Sequence, residues 1–288
     1  NKLIQLLNIA GTGPILGPIQ GILFGPIAFI TIPLGNIFAG SVHDYFVGMI
    51  SMRNKGAQVP KMMQKFLGGN PTKIYTVIIW VLMLLTGVVF IYTPGDLIVG
   101  DVLGRSVNSN IIWCVYAIIV GYYIISTIFP IDKLIGRVYP VVGGVLIISA
   151  IIILIGILRD GGANLSNLSG GLLLQHPTGQ KFIPVFFITV ACGIMSGFHG
   201  SQATLISRTV RKEKEGRGTF YNMMIVEGLI AMVWAAGAMV LFNRGTGSDT
   251  GATAMVGIIS REFMGNIGGL VAIAGVIILP ITSGDTAF

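Results

Sequence analysis

The chain has 288 residues, of which 53% are hydrophobic and only 10% charged. A soluble domain carries about 25% charged residues, so this composition excludes a water-clothed globule and points to many membrane crossings. The net charge of +7 does not signal nucleic acid, because the basic residues gather in two loops between apolar segments.

Windows of about 20 apolar residues predict eight spans, at 3–25, 26–52, 75–93, 111–129, 137–157, 181–206, 220–242 and 267–288. The first contains "NIAGTGPILGPIQG", poor material for a straight helix, and a "FGPI" turn joins it to the second as a tight hairpin. On span two, Gly40, Asp44 and Gly48 share a face at i, i+4, i+8, which turns Asp44 toward a crowded helix contact, with His43 beside it. Cys114 and Cys192 fall in apolar segments at no metal-ligand spacing and read as small core residues. The Gly-, Asn- and Ser-rich loop 158–180, with His176, reads as a flexible surface loop. Span six, "ACGIMSGFHGSQATLISR", is interrupted by Gly193, Gly197 and Gly200 and by Ser196, His199, Ser201 and Gln202. On span seven, Glu227, Ala231 and Trp234 share a face. The last segment ends "ITSGDTAF", where Asp285 sits among Thr282, Ser283 and Thr286 as a further polar patch. Neither Asn1 nor this ending looks like a natural terminus, so the sequence reads as part of a longer protein.

Lys and Arg fix the orientation. Loop 53–74 holds Arg53, Lys55, Lys61, Lys65 and Lys73, and loop 207–219 holds Arg208, Arg211, Lys212, Lys214 and Arg217. Lys2, Lys133 and Arg137 fall on the same side, against only Arg105, Arg159, Lys181, Arg244 and Arg261 on the other. The richer side is cytoplasmic, so span one runs inside to outside and span six the reverse.

Each broken span is followed by a straight one with a buried acid. Gly11 to Asp44 is 33 residues and Gly193 to Glu227 is 34, and the two pairs enter the membrane with opposite polarity. We read one transmembrane unit over 1–288, with an inverted repeat in 1–157 and part of a second in 181–288. Paired Gly-interrupted spans in oppositely oriented halves point to a transporter's midmembrane site. Unwound backbone in lipid costs several kcal/mol per unpaired group, so a break must be buried or meet a polar ligand. The half-helix beyond it offers free N–H groups and a positive dipole end to a carboxylate, and Pro14 suits such a first turn. The candidate substrate residues are Gly11, Thr12, Gly13 and Pro14 with Ser196, Gly197, His199 and Gln202. Gly17, Gly21 and Gly25, four apart, read as close-packing glycines.

Buried ionisable groups in a membrane are costly and mark function. Asp44 and Glu227, with His43 and Asp285, are candidates for proton coupling, since burial raises a carboxyl's pKa. Two alternatives stand beside this: the acids accept hydrogen bonds from unwound backbone, or they hold sodium or another cation. No residue cluster suits zinc or haem, no phosphate loop appears, and no nucleophile–base pair supports an enzyme. The implied partners are a small-molecule substrate and the lipid bilayer, with no nucleic acid and no cofactor beyond the coupling ion. A nutrient sensor or structural subunit without transport is the other class, and it would show eroded breaks.

The segments "NIAGTGPILGPIQGILFGPIAF", "GNIFAGSVHDYFVGMISMRNKGAQVP", "SGFHGSQATLISRTVRKEKEGRGTFYNMMIVEGLIAMVWAA" and "LPITSGDTAF" resemble the carbon starvation protein A family, along essentially the whole chain. The resemblance implies an all-α inner-membrane secondary transporter of bacteria or archaea, taking up peptides or pyruvate by proton symport. It also implies the fold of the amino acid–polyamine–cation class, with inverted five-helix repeats and discontinuous helices one and six. The family's glycine-rich break maps to Gly11–Pro14, its His-Asp pair to His43 and Asp44, and its "GFH…Q" stretch to Gly197, Phe198, His199 and Gln202. Its helix-seven acid maps to Glu227 and its "GDTA" to Gly284–Ala287. Many members carry two histidines just before the first break, where this chain has "IQLLNIAG", and members are longer, with spans on both sides of this segment.

Overall fold

The computed structural model describes residues 2–128, 132–160, 164–165 and 171–287, with side chains for all of these except 132–140 and 285–287. Among the described residues there is helix and loop but no strand. The first expected span is two helices, α1 (Lys2–Ile9) and α2 (Gly13–Gly21), the second running through a 3-10 turn to Phe24, and they bend by 45° at the break. Gly25, at φ 103, makes the turn into the next helix. α3 (Ala28–Gly35), a π segment (Asn36–Gly40) and α4 (Ser41–Arg53) follow as one run of helical dihedrals. The short α5 (Val59–Leu67) then precedes α6 (Gly69–Leu97), which a further π segment extends to Val102.

α7 (Ile111–Ile128) and α8 (Asp132–Arg159) come next, then α9 (Phe182–Ile194) and α10 (His199–Ser207), the two halves of the second broken span. A π segment (Arg217–Tyr221) leads into α11 (Asn222–Asn243), and α12 (Ala252–Ala287) is divided by Gly265, at φ 69. Among the described residues six helices are long and apolar enough to cross a membrane, and the bent α1–α2 pair makes a seventh. The expected span 26–52 is the α3–α4 run, about 39 Å long at 1.5 Å per residue. Its Asn36, His43, Asp44 and Arg53 leave it outside the apolar set. The first half of α12 was not anticipated, because Arg261 and Glu262 interrupt its apolar run.

Glycine sets how closely the helices approach. A Cβ on Gly13 would stand 2.9 Å from Ser196 Cβ, one on Gly17 2.5 Å from Thr189 O, and one on Gly21 3.2 Å from Val190 Cγ2. From Gly13 beside Ser196 to Phe24 beside Phe182 the partner numbers fall overall as the first span advances, so α2 and α9 run antiparallel. The α3–α4 run lies parallel to the α9–α10 span instead. Asn36 bonds Gly193, Ser51 bonds Ser207 and Arg208 bonds Gly56 O, in order along both chains. α11 packs on α1 and α2 and is the most enclosed of the long apolar helices described, with Trp234, Ala231 and Glu227 all fully buried. α6 sits at the periphery, presenting Ile74, Trp80 and Leu84 outward.

The basic loops 53–74 and 207–219 meet at one end, where Arg53 pairs with both carboxylate oxygens of Glu213 at 3.0 Å. At the other end Arg244 pairs with Asp160 and Glu262, and Arg261 with Asp101. Both arrangements agree with the expected sorting of loops to two sides. Asn164's hydrogen bond and the Arg244 guanidinium hold the Asp160 carboxyl below the usual carboxylate range.

Three expectations are corrected. Cys114 is exposed on the outer face of α7, because that helix meets its neighbours through Ile112, Ile119 and Tyr123. Gly25 is a turn residue rather than a packing residue: its φ and the closeness of Leu172 O both require glycine. Residues 171–176 do not float. Ile27 N–H donates to Leu172 O, Leu174 N–H donates to Phe24 O, and buried His176 lies over Phe24 at 4.7 Å between centroids.

Two outcomes follow from this packing. Gly17→Val forces α2 and α9 apart and costs about 1–3 kcal/mol as overpacking, read as a lower melting temperature in detergent. Burial lowers the His176 pKa, so the unfolded chain binds the proton more readily. The stability this residue supplies is complete above its ordinary pKa of about 6.5 and is lost as pH falls from there toward the folded value. Amide exchange at Ile27 and Leu174, corrected for intrinsic rate, therefore rises between pH 7 and pH 5, and His176→Phe abolishes that rise.

Candidate functional site

The two breaks face each other. In the first, Ala10 N–H still reaches Leu6 O and the next helical bond starts from Thr12 O. Among the described residues the N–H groups of Gly11, Thr12 and Gly13 have no partner, and Pro14 has none to offer. In the second, Met195 turns extended at φ −162, ψ 111, ending α9. There the N–H groups of Gly197 and Phe198 have no partner among the described residues. A cavity of about 200 Å³ lies between them, lined by Gly11, Thr12, Gly13, Ser196, Gly197 and Phe198 and walled by Leu82, Thr86 and Phe90 of α6. The positive ends of α2 and α10 both open on it.

Side chains hold the breaks open. Asn36, in the π segment, donates from Nδ2 to Gly193 O at 3.0 Å, satisfying a carbonyl that α9 leaves free by stopping. Gly228 of α11 lies against the same amide, where a Cβ would stand 2.6 Å from Nδ2. Ser196 N–H donates to His199 Nδ1 at 3.0 Å. That fixed backbone donor makes Nδ1 an acceptor and assigns the ring proton to Nε2.

His199 Nε2 faces Glu227 Oε2 at 3.4 Å, both side chains fully buried. Asp44, also fully buried, accepts Gln5 Nε2 at 3.1 Å on one oxygen and meets His43 Nδ1 at 3.0 Å on the other. Asp44 interacts electrostatically with both His199 and Glu227. Four buried polar side chains from α1, α4, α10 and α11 thus gather in one cluster behind the cavity, with half-buried His43 at its edge. Neither acid accepts a hydrogen bond from unwound backbone among the described residues. Both Glu227 oxygens and both ends of the Gln202 amide lack hydrogen-bond partners there. Buried groups left so are uncommon and call for a functional account.

The expected substrate residues therefore divide. Gly11, Thr12, Gly13, Ser196 and Gly197 line the cavity, while Pro14, His199 and Gln202 stand outside its lining. His43, Asp44 and Glu227 join the buried cluster. Asp285 falls in the last turn of α12, and its side chain lies outside the described residues. Gln5, Asn36 and the α6 wall were not anticipated. Gln5 and Asn36 were visible only as lone polar residues in apolar runs, and α6 carries no motif at all.

Residues 5–174 and 114–259 match the family model described as carbon starvation protein CstA. A Haemophilus influenzae protein described as an uncharacterized membrane protein is 38% identical over 289 positions, covering 84% of this chain and 77% of that protein. Two Escherichia coli proteins are more distant. A peptide transporter CstA is 25% identical over 309 positions, and a pyruvate/proton symporter BtsT is 23% identical over 302. Each match covers 81% of this chain, which spans only 41% and 40% of those two transporters.

Asn36 gives the site its test. Asn36→Leu keeps the approximate volume but loses the donor, leaving the Gly193 carbonyl unanswered at a cost of about 1–3 kcal/mol. A melting temperature equal to that of the unsubstituted protein would show that the cap does not support the break.

Proposed function

This chain belongs to the carbon starvation protein CstA family, and on that premise we propose that it is the core of a proton-coupled importer of small carboxylates. Transporter function and an inner-membrane, multi-pass location agree with the relatives' names and the apolar helices. One observation carries the reading further: two half-helix N-termini, with unpartnered N–H groups, open on one cavity. Such ends attract anions, and a substrate carboxylate is the anion the site would take. The relatives are named for peptides and for pyruvate. A cavity of about 200 Å³ is smaller than the roughly 300–1,000 Å³ of typical ligand pockets, which favours a pyruvate-sized carboxylate over a peptide.

The antiparallel contact of the two broken spans, each next to an acid-bearing helix, supports the inverted-repeat arrangement with alternating access around this point. Residues 1–157 would be the first repeat, and 181–288 part of the second. Coupling is assigned to the cluster behind the cavity. Glu227 takes a proton from outside as substrate binds, offsetting the charge of the substrate carboxylate, His199 links it to the second break through Ser196, and Asp44 stays held by Gln5 and His43. Release of both inward returns the empty carrier.

Reconstituted in proteoliposomes, the full-length protein should accumulate labelled pyruvate when an inward proton gradient is imposed, and a labelled dipeptide far less. Accumulation driven equally by sodium alone would move the coupling to that ion. Glu227→Gln should abolish uphill uptake yet preserve substrate exchange, whereas full uphill uptake in that variant would remove Glu227 from the coupling step.

A further inference from the structure

The end of the molecule where Arg53 meets Glu213 carries two adjoining hollows of about 540 and 530 Å³. Arg53, Lys55, Lys61 and Lys65 line the first, and Lys55, Lys61 and Arg208 the second; no carboxylate lines either. Some of this charge is already engaged. Arg53 is paired with Glu213, and Arg208 donates Nε to Gly56 O. Lys65 donates to Asn54 Oδ1 at 2.6 Å and its ammonium lies 5.2 Å from the Phe66 ring centroid, two neutral partners that leave its charge uncompensated. The ammonium groups of Lys55 and Lys61 have no hydrogen-bond or ion-pair partner among the described residues.

The helix that bears Lys61 and Lys65 is amphipathic. Lys61, Gln64 and Lys65 project to one side of α5, and Met62, Met63 and Phe66 to the other. Met62 is buried, but Phe66 and Leu67 stand 59% and 62% exposed, just before the start of the lipid-facing helix α6. A helix with lysines on one side and open apolar groups on the other lies in the membrane interface. Basic pockets at that depth suit anionic headgroups. We propose that these hollows bind the phosphate headgroup of an anionic phospholipid, with its acyl chains against the apolar side of α5. Charge complementarity selects the anion, and the exposed Phe66 and Leu67 select a lipid over a soluble phosphate, which would gain nothing from them. The inference stands apart from the transport reading and survives if that reading fails.

The test uses full-length protein in mixed micelles, with native mass spectrometry reporting bound phosphatidylglycerol against phosphatidylcholine. Phosphatidylglycerol should be retained preferentially, and less so as salt rises. Each lysine near the anionic headgroup supplies about a five-fold preference, so Lys55→Ala with Lys61→Ala and Lys65→Ala should lose on the order of 100-fold. The single variant Lys61→Gln should lose about five-fold, and it serves if the triple variant does not elute as a single species. Lys212→Ala with Lys214→Ala, on the neighbouring loop outside the hollows, should keep the preference. Undiminished preference in the lysine variants, or equal loss in the Lys212 and Lys214 control, overturns the site. Displacement of the lipid by equimolar inorganic phosphate would make it a soluble-anion site and overturn the lipid assignment.

Discussion

A helix opened inside hydrocarbon exposes donors and acceptors that cost several kcal/mol each unless something answers them, and this chain opens two such helices side by side. Much of the surrounding structure can be understood as the answer. Glycines at 13, 17 and 21 bring α2 onto α9 so tightly that the openings touch. Asn36 reaches across to the Gly193 carbonyl, and Gly228 leaves α11 room to press on that amide. The Ser196 N–H is consumed by His199. Five further N–H groups border the cavity with no partner among the described residues, which is where a bound anion would repay the opening.

The same constraint explains the polar cluster behind the cavity. Gln5, Asp44, His199 and Glu227 come from four helices, none of which could carry its polar residue facing lipid, and half-buried His43 borders them. They are admitted because they face one another. Asp44 has a partner on each oxygen, whereas Glu227 has, among the described residues, only the His199 ring at 3.4 Å. The first acid is anchored and the second is not, an asymmetry that suits a group whose protonation changes.

Both breaks, the helices bearing the acids and the opposite polarity of the two pairs were legible from glycine placement and loop charge, because glycine and proline in a greasy run have few other uses. The inward face of Asp44 was legible too, since Gly40 and Gly48 share its stripe. Other features depended on the third dimension. A side chain that caps another helix leaves no periodicity, so Asn36 looked like any polar interruption. The α6 wall, apolar toward lipid and cavity alike, could not be told from an ordinary span. His176 was hidden because the Gly- and Ser-rich residues around it gave no sign that the segment folds back onto the Phe24–Ile27 turn. The count of spans blurred where polar residues needed for the site dilute the α3–α4 run.

Each acid-bearing helix contains a stretch wound more loosely than α, at Asn36–Gly40 and at Arg217–Tyr221, shortly before its acid. Such a stretch accommodates a surplus residue without unwinding the rod. Were either to tighten to ordinary winding, everything beyond it would turn by about 100°, one residue's share of a helical turn. Asp44 or Glu227 would then swing off its partners while the preceding half of its helix stayed seated. The heading of each carboxyl is thus set by a local choice of hydrogen-bond spacing, and two coils of surplus chain act as the collars about which the acids could pivot.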